Sequence, residues 1–154
     1  MPSYRAPVKD TLFVLQSVCK LDAHSNLPGF ADATPDVVQA VVEEGGKFCE
    51  GVLAPINHSG DQQGCTRHAD GSVSTPDGFK AAYDAFVEGG WGTLMAPSEY
   101  GGQGMPHIIG TVFQEFSASA NMAFAMYPGL NEGAQAAIMA VGSPELKERF
   151  LPNM

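Results

Sequence analysis

Basic residues are scarce in this sequence, and acidic ones outnumber them. The 154 residues include 8 Lys and Arg against 17 Asp and Glu, which gives a formal net charge of −9. This balance argues against nucleic acid or an anionic membrane as a direct partner. It also argues that any phosphate groups of a ligand are held by residues other than these.

Long apolar runs and a secretory signal are also missing. No apolar run approaches the roughly 20 residues that span a bilayer, and the opening "MPSYRAPVKD" has no apolar stretch behind it. The cysteines, Cys19, Cys49 and Cys65, form no CxxC pair, which is typical of a reducing compartment. We therefore expect no membrane span and a cytoplasmic location.

Motifs that carry catalysis are few. There is no GxSxG, P-loop or GxGxxG pattern. Cys65 and His68 are close in sequence to His58, but a full set of four ligands is not visible, so we predict no metal site. Glu115 and Glu132 lie near apolar segments. Each could be a buried base with a raised pKa, or an ordinary surface or capping carboxylate.

Three helix starts share one pattern, a hydroxyl residue followed by Pro and an acidic residue. They are "TPDV" at Thr34, "TPDG" at Thr75 and "SPEL" at Ser143. The hydroxyl can cap free backbone N–H groups, Pro suits the first helical position, and the acidic residue suits the positive end of the helix dipole. The pattern therefore predicts helices beginning at Pro35, Pro76 and Pro144.

Apolar periodicity extends this assignment. It predicts helices within "DTLFVLQSVCKL", from Pro35 to about Asn57, from Pro76 to about Glu88, and from Pro106 onward. Gly45, Gly46 and Gly51 in the second helix indicate close contact with another helix, or a kink. The segment "NMAFAMYPGLNEGAQAAIMAVG" is apolar almost all round and should be buried.

Within that last segment, Pro128 predicts two helices that meet at "YPG", because Pro disfavours helical angles in the residue before it. The "ADGS" turn predicts a small β-hairpin near Asp70 and Gly71. The fold class we predict is all-α: an orthogonal or up-down bundle of about six helices with that small hairpin.

Two glycine clusters flank a short connection in "GGWGTLMAPSEYGGQGMP", residues 89 to 106. Glycine permits positive φ and close backbone approach, so the chain could pass tightly against a flat ligand or another domain, or simply turn. Met122, Met126 and Met139 lie among small and aromatic residues. Such methionines fill cores and also suit walls that hold flexible aliphatic chains.

The pattern W-G-x-L-x-x-P-x-E-Y-G-G-Q-G-x-P, residues 91 to 106, resembles the N-terminal helical domain of the acyl-CoA dehydrogenase family. So does "YPGLNEGAQAAIMAVGSPELKERFLPNM", residues 127 to 154. The opening residues and "FCEGVLAPINHSGDQQGCTRHADGSVSTPDGF" are similar to a long branch of that family, which includes 3-methylmercaptopropionyl-CoA dehydrogenases. The similarity covers nearly the whole chain.

The resemblance implies an FAD enzyme that oxidises an acyl-CoA thioester to a trans-2-enoyl thioester. A carboxylate removes the α-proton, and hydride leaves the β-carbon for N5 of FAD. In the family, a middle barrel binds the flavin and a C-terminal helical bundle carries the catalytic Glu. Both would lie outside these residues, so no residue here is assigned a catalytic role, and the isolated chain is expected to be inactive and to bind no FAD.

By the same resemblance, residues 1–33 are an N-terminal extension helix and linker, and residues 34–154 are the family's N-terminal domain. The implied substrate-binding residues are Phe124, Tyr127, Leu130 and Ala134, and the implied cofactor-binding residues are Tyr100, Gly101 and Gly102.

Partners implied by the resemblance are the acyl-CoA substrate, the barrel and C-terminal domains, and an electron acceptor for the flavin. An apolar face meant for those domains would also favour self-association of the chain. The alternative is a stand-alone helical module that binds an acyl ligand or a protein without catalysis.

Overall fold

A computed structural model describes residues 3–27 and 29–154 of the chain. These residues form seven α-helices: α1 (Val8–Phe13), α2 (Pro35–Phe48), α3 (Ala54–Gln63), α4 (Phe79–Glu88), α5 (His107–Ala120), α6 (Met122–Val141) and α7 (Pro144–Phe150). The strands β1 (Thr66–Arg67) and β2 (Val73–Ser74) pair antiparallel. The prediction of a helical bundle with a small hairpin is confirmed. Within this part of the chain, no helix is both long and apolar enough to cross a membrane.

The helices α2 and α3 form one long rod. A π-helical turn, Cys49–Leu53, joins them without interruption. Pro55 follows this turn and has no N–H to donate, so a wider turn before it accommodates the lost hydrogen bond. The rod begins at Pro35 as predicted, and it continues to Gln63, beyond the predicted end at Asn57.

Glycines in this rod allow close packing. A Cβ on Gly45 would lie 3.2 Å from the Phe113 ring, and one on Gly46 would lie 2.9 Å from Val8. These two confirm the predicted helix contacts. Gly51 is different, because a Cβ there would meet nothing within 4 Å; the prediction of close contact is wrong at that position.

The N-terminal segment is fastened to the same rod. Val8 contacts Gly46, and the backbone N–H of Ala6 donates to Glu50 Oε1 over 2.9 Å. Arg5 makes an ion pair with the same carboxylate, with 3.4 Å between Nη1 and Oε2. Leu15, at the end of this segment, is buried in the core. Residues before α2 therefore pack on the bundle.

Aromatic side chains from three helices form the centre of the core. The ring centroid of Phe86 on α4 lies 6.1 Å from that of Phe113 on α5 and 5.8 Å from that of Phe124 on α6. Asn121, which is fully buried, joins two backbones: its Nδ2 donates to the Leu53 carbonyl, and its Oδ1 accepts from Phe124 N. The core therefore fixes α6 against the α2–α3 rod and α5.

The start of α4 differs from the sequence prediction. Thr75 and Pro76 precede the helix, which begins at Phe79 after Gly78 in a left-handed conformation with φ of 87°. A left-handed residue cannot continue a right-handed helix backward, so the "TPDG" signal does not start one here. By contrast, Thr34 and Ser143 stand at the N-caps of α2 and α7, as predicted.

Pro128 does not divide α6, so the prediction of two helices meeting at "YPG" is wrong. The helix runs from Met122 to Val141 with Pro128 inside it. A proline at this position leaves one carbonyl, that of Phe124, without its helical donor. The helix nevertheless continues past Pro128; Asn121 caps its start, and α5 packs along it.

Candidate functional site

A groove runs between α5, α6 and residues 91–97, and we call it the α5–α6 groove. It consists of two adjoining cavities of about 280 Å³ and about 450 Å³. The smaller, cavity one, is lined by Phe86, Phe113, Gln114, Ser117, Ala118, Met122, Phe124, Ala125, Met126, Pro128, Gly129 and Glu132. The larger, cavity two, is lined by Trp91, Gly92, Leu94, Met95, Ala96, Pro97, His107, Thr111, Gln114, Gly129, Glu132, Gly133, Gln135, Ala136 and Met139.

Gln114, Gly129 and Glu132 line both cavities and so mark the boundary between them. Gln114 lies on α5 and Glu132 on α6, and Nε2 of Gln114 donates a hydrogen bond to Oε2 of Glu132. This bond crosses the groove from one helix to the other. Elsewhere cavity one is lined almost entirely by aromatic, methionine and small side chains, with Ser117 as its other polar member.

Burial raises the pKa of the Glu132 carboxyl above its ordinary value, because a charged carboxylate is poorly solvated there. The hydrogen bond from Gln114 and the charge of His107 act in the opposite direction. Of the two carboxylates singled out in the sequence, Glu132 is therefore the half-buried one, whereas Glu115 is exposed.

One side of α6 is unusually small where it faces cavity two. A Cβ built on Gly129 or Gly133 would meet nothing within 4 Å. Glycine inside a helix costs about 1 kcal/mol relative to alanine. Since the fold leaves room for a side chain at both positions, packing inside this chain does not require glycine there.

The glycine-rich loop after α4 is fixed by its own backbone. The N–H groups of Gln103, Gly104 and Met105 donate to carbonyls of residues 93–96 over 2.9 to 3.0 Å. Gly102 lies so close to the Ala96 carbonyl that a Cβ would overlap it. The loop therefore folds back on itself, and its second half is hydrogen-bonded to its first half beside cavity two.

The substrate-binding residues proposed from sequence lie in different surroundings. Phe124 is buried in the core and lines cavity one. Tyr127 packs on Phe124 and Tyr83, and burial raises its pKa to about 12. Leu130 is 76% exposed and Ala134 is exposed, and neither lines either cavity of the groove.

The cofactor-binding residues proposed from sequence lie together at the tip of the loop. Tyr100 ends a short 3₁₀ turn and is half-buried. Gly101 follows with φ of 90°, and a Cβ there would meet nothing within 4 Å. Gly102 is the residue packed on Ala96. Of the three residues, Gly101 is therefore the one with open space beside its backbone, and all three follow Pro97, which lines cavity two.

Sequence reasoning missed the residues that define the groove most directly. Gln114 belongs to no motif, and its role depends on a contact with a residue 18 positions away. Gly129 and Gly133 did carry a signal, because two glycines four residues apart lie on the same side of a helix. The prediction that Pro128 ends the helix hid that signal.

An exposed apolar surface continues from the groove along α6 and α7. It includes Met126, Leu130 and Val141 on α6, with exposed fractions of 67%, 76% and 87%. The prediction that this apolar segment is buried is therefore wrong, since Phe124 is the buried residue of α6. Leu146 and Phe150 on α7 are also more than 40% exposed. Side chains of this size exposed on two consecutive helices are typical of a surface that contacts another protein or domain.

Comparison with known proteins gives a family match. The model of the family described as "Acyl-CoA dehydrogenase, N-terminal domain" matches residues 36–154. A 3-methylmercaptopropionyl-CoA dehydrogenase of Ruegeria pomeroyi is 36% identical over 152 residues, which are 99% of this chain and 26% of that protein.

Two other curated relatives agree. A butyryl-CoA dehydrogenase of Syntrophomonas wolfei is 32% identical over 143 residues, covering 91% of this chain and 22% of the relative. A broad-specificity linear acyl-CoA dehydrogenase of Mycobacterium tuberculosis is 28% identical over 152 residues, covering 96% and 24%. The chain thus spans about a quarter of the length of the relatives it matches. On this evidence the chain belongs to the acyl-CoA dehydrogenase family, whose N-terminal domain it matches over residues 36–154.

Proposed function

We propose that this chain forms the helical wall of the acyl pocket in an FAD-dependent enzyme that introduces an α,β double bond into an acyl-CoA thioester. The observation that carries the proposal is the unfilled space over Gly129 and Gly133 in the α5–α6 groove. These residues lower helix stability without any packing need within the chain. Space for the acyl chain of a thioester explains why they are glycine.

The walls of the groove suit an aliphatic ligand. Met95 and Met139 line cavity two, and Met122 and Met126 line cavity one. The thioether side chain is flexible and polarisable, so it can adjust to an acyl chain. Trp91 also lines cavity two. Met95, Met139 and Trp91 would hold the acyl chain and exclude water from the reacting carbons, and Met122 and Met126 form part of the apolar lining of the adjoining cavity.

The loop residues fit the edge of a flat cofactor. Gly101 and Gly104 have φ of 90° and 65°, and a Cβ at either would meet nothing within 4 Å. Their backbone therefore faces open space, and we propose that Tyr100, Gly101 and Gly102 contact FAD there. FAD, when bound, supplies the acceptor for the hydride that leaves the β-carbon. The chain's net charge of −9 disfavours binding of the phosphate groups of FAD or CoA by its own residues.

The proposed division of labour assigns no catalytic residue to this chain. Phe124, Tyr127, Leu130 and Ala134 remain proposals for substrate binding that rest on the sequence resemblance, because Phe124 lines cavity one and the other three line neither cavity of the groove. Residues 34–154 are proposed as the domain that works with a barrel and a C-terminal helical bundle, and residues 1–33 as an extension. We propose a cytoplasmic location and no activity of the chain alone.

A chimera tests the proposal. This chain would replace the corresponding segment of the Ruegeria relative, which it matches over 152 residues. The chimera is expected to purify with flavin and to oxidise acyl-CoA with an artificial electron acceptor. The isolated chain, purified in parallel, is expected to be colourless and inactive. Stoichiometric FAD on the isolated chain, or desaturation by it, would contradict the proposed roles.

A concentration series of the isolated chain tests the partner surface. Exposed side chains such as Leu130 and Val141 should drive self-association when no other domain covers them. Size-exclusion chromatography is expected to show larger species as concentration rises, and joining the chain to the other domains should abolish them. A chain that stays monomeric at all concentrations argues against this surface as a domain contact.

A further inference from the structure

The hydrogen bond between Gln114 and Glu132 has a position that the wall function alone does not explain. Both side chains line both cavities, and the bond joins α5 to α6 between them. An apolar acyl chain that extended from cavity two into cavity one would have to pass this polar pair. The remaining lining of cavity one is mainly apolar, whereas the lining of cavity two also includes His107, Thr111 and Gln135, so the pair stands at the entrance to the more apolar of the two cavities.

We propose that Glu132, held in place by Gln114, divides the α5–α6 groove and confines the acyl chain to cavity two, so that the wall selects short acyl thioesters. This inference rests on the proposed function. It assigns to Glu132 a specificity-determining role, separate from proton transfer.

The physical basis is the cost of covering a polar group with methylenes. Glu132 is half-buried, and Gln114, which is itself exposed, is the one side chain among the described residues that donates a hydrogen bond to it. A methylene chain laid across it would remove remaining water from the carboxyl group without replacing its hydrogen bonds, which is unfavourable. Each methylene that stops short of the pair instead gains by leaving water for apolar surroundings.

The reacting end of the ligand belongs on the side of cavity two. Ala96 and Pro97, which precede the glycine-rich loop, line cavity two and not cavity one. A chain that starts near the loop therefore fills cavity two first and reaches Glu132 only when it is long. Glu132 thus sets an upper limit on the length of the acyl chain, and Gly129 and Gly133 provide the width of the part of the groove that the chain occupies.

Methionine methyl groups report which cavity is filled. Met95 and Met139 lie in cavity two, and Met122 and Met126 lie in cavity one. The full chain, labelled with ¹³C at its Met methyls, would be titrated with N-acetylcysteamine thioesters of butanoate and octanoate. In the unsubstituted chain, both thioesters are expected to shift the Met95 and Met139 signals and to leave Met122 and Met126 in place.

Glu132→Ala is expected to let the acyl chain pass from cavity two into cavity one. The octanoyl thioester should then shift the Met122 and Met126 signals as well, and its affinity should rise about tenfold, since its terminal methylenes gain burial. The butanoyl thioester should bind as before. Glu148→Ala, which removes an exposed carboxylate on α7, is the matched control and should change neither affinity nor signals. Glu132→Gln preserves the size and polarity of the side chain and should largely retain the division.

The outcomes distinguish the proposed role of Glu132 in dividing the groove from the proposed role of the groove in binding acyl chains. If octanoyl thioester shifts all four methyl signals in the unsubstituted chain, the groove binds acyl chains but Glu132 does not divide it. If Glu132→Ala leaves the octanoyl affinity and the methyl shifts unchanged, the divider is equally excluded. If neither thioester shifts any of the four signals, the inference fails, whereas the proposed function is judged separately by flavin binding and turnover of the chimera.

Discussion

The indole of Trp91 lies face to face with the ring of Phe113, with centroids 4.5 Å apart and planes 3° apart. Trp91 belongs to the short turn after α4, and Phe113 to the buried side of α5. The stack rests on Gly45 of α2, where a Cβ would lie 3.2 Å from Phe113 and 3.6 Å from Trp91. One aromatic pair therefore connects the core to the wall of cavity two.

Phe113 should contribute strongly to stability because it joins these elements. Phe113→Ala is expected to lower the free energy of unfolding by about 3–5 kcal/mol, the range for truncating a buried Phe. Phe13→Ala is the control, since Phe13 is 61% exposed and should change stability little. Urea denaturation followed by far-UV circular dichroism measures both. Equal effects of the two substitutions would argue against the stack as a core contact.

Two helix glycines should respond to alanine in opposite ways. Gly133→Ala is expected to stabilise the chain by roughly 0.5–1 kcal/mol, because alanine favours the helix and its Cβ meets nothing. Gly60→Ala is expected to destabilise it by about 1–3 kcal/mol, because the Cβ would lie 2.5 Å from the buried Phe79 ring. The midpoints of urea denaturation compare them. A destabilised Gly133→Ala chain would show that the space over Gly133 is not open.

Asn121 should be needed for the position of α6. Asn121→Ala removes both the cap on Phe124 N and the bond to the Leu53 carbonyl. The expected loss is about 1–3 kcal/mol, since buried backbone groups are left without partners. Asn57→Ala, at an exposed position in α3, is the control. Thermal unfolding that is the same for both variants would contradict a structural role for Asn121.

Stability should depend on the ionisation of Glu132. Burial raises its pKa above the ordinary value of 4.5 in the folded chain, so the folded state binds this proton more tightly than the unfolded state. The resulting stabilisation is complete below the unfolded pKa and is lost as pH rises through the folded pKa. The free energy of unfolding should therefore fall over a pH window that begins near 4.5 and extends upward.

Glu132→Gln isolates this contribution, because it keeps the side-chain shape and removes the titrating group. Relative to the unsubstituted chain, the variant should become more stable as pH rises through that window, as measured by urea denaturation at a series of pH values. Glu148→Gln, at an exposed site on α7, should follow the unsubstituted chain. Parallel curves for all three proteins would show that the Glu132 carboxyl is not perturbed by folding.

Local signals in the sequence predicted local structure well. The helix starts at Thr34 and Ser143 and the turn at Asp70 and Gly71 depend on neighbouring residues, and the structure confirms their positions. The Ser143 hydroxyl accepts from Leu146 N as a cap, whereas the Thr34 side chain makes no capping hydrogen bond. The errors at Thr75 and Pro128 arose because tertiary packing overrode the local preference. Gly78 adopts a left-handed conformation against Ile56, and the flanks of α6 are fixed by contacts that the sequence does not display.

The functional groove was predicted only in part, for a related reason. The glycine-rich loop and the small residues of α6 are visible as motifs, so their general place was predictable. The Gln114–Glu132 bond spans two helices, and no spacing within either helix indicates it. Leu130 and Ala134 share the segment with Gly129 and Gly133, but only the path of α6 shows which residues line the groove.

Filling the space over Gly133 in the chimera tests the central claim most directly. Gly133→Leu places a bulky side chain where the structure has open room, so flavin content and thermal stability should be preserved. The account predicts at least a tenfold loss in kcat/KM for the acyl-CoA substrate, about 1.4 kcal/mol in transition-state binding. Unchanged kcat/KM with the leucine in place would contradict the claim that α6 forms the wall of the acyl pocket.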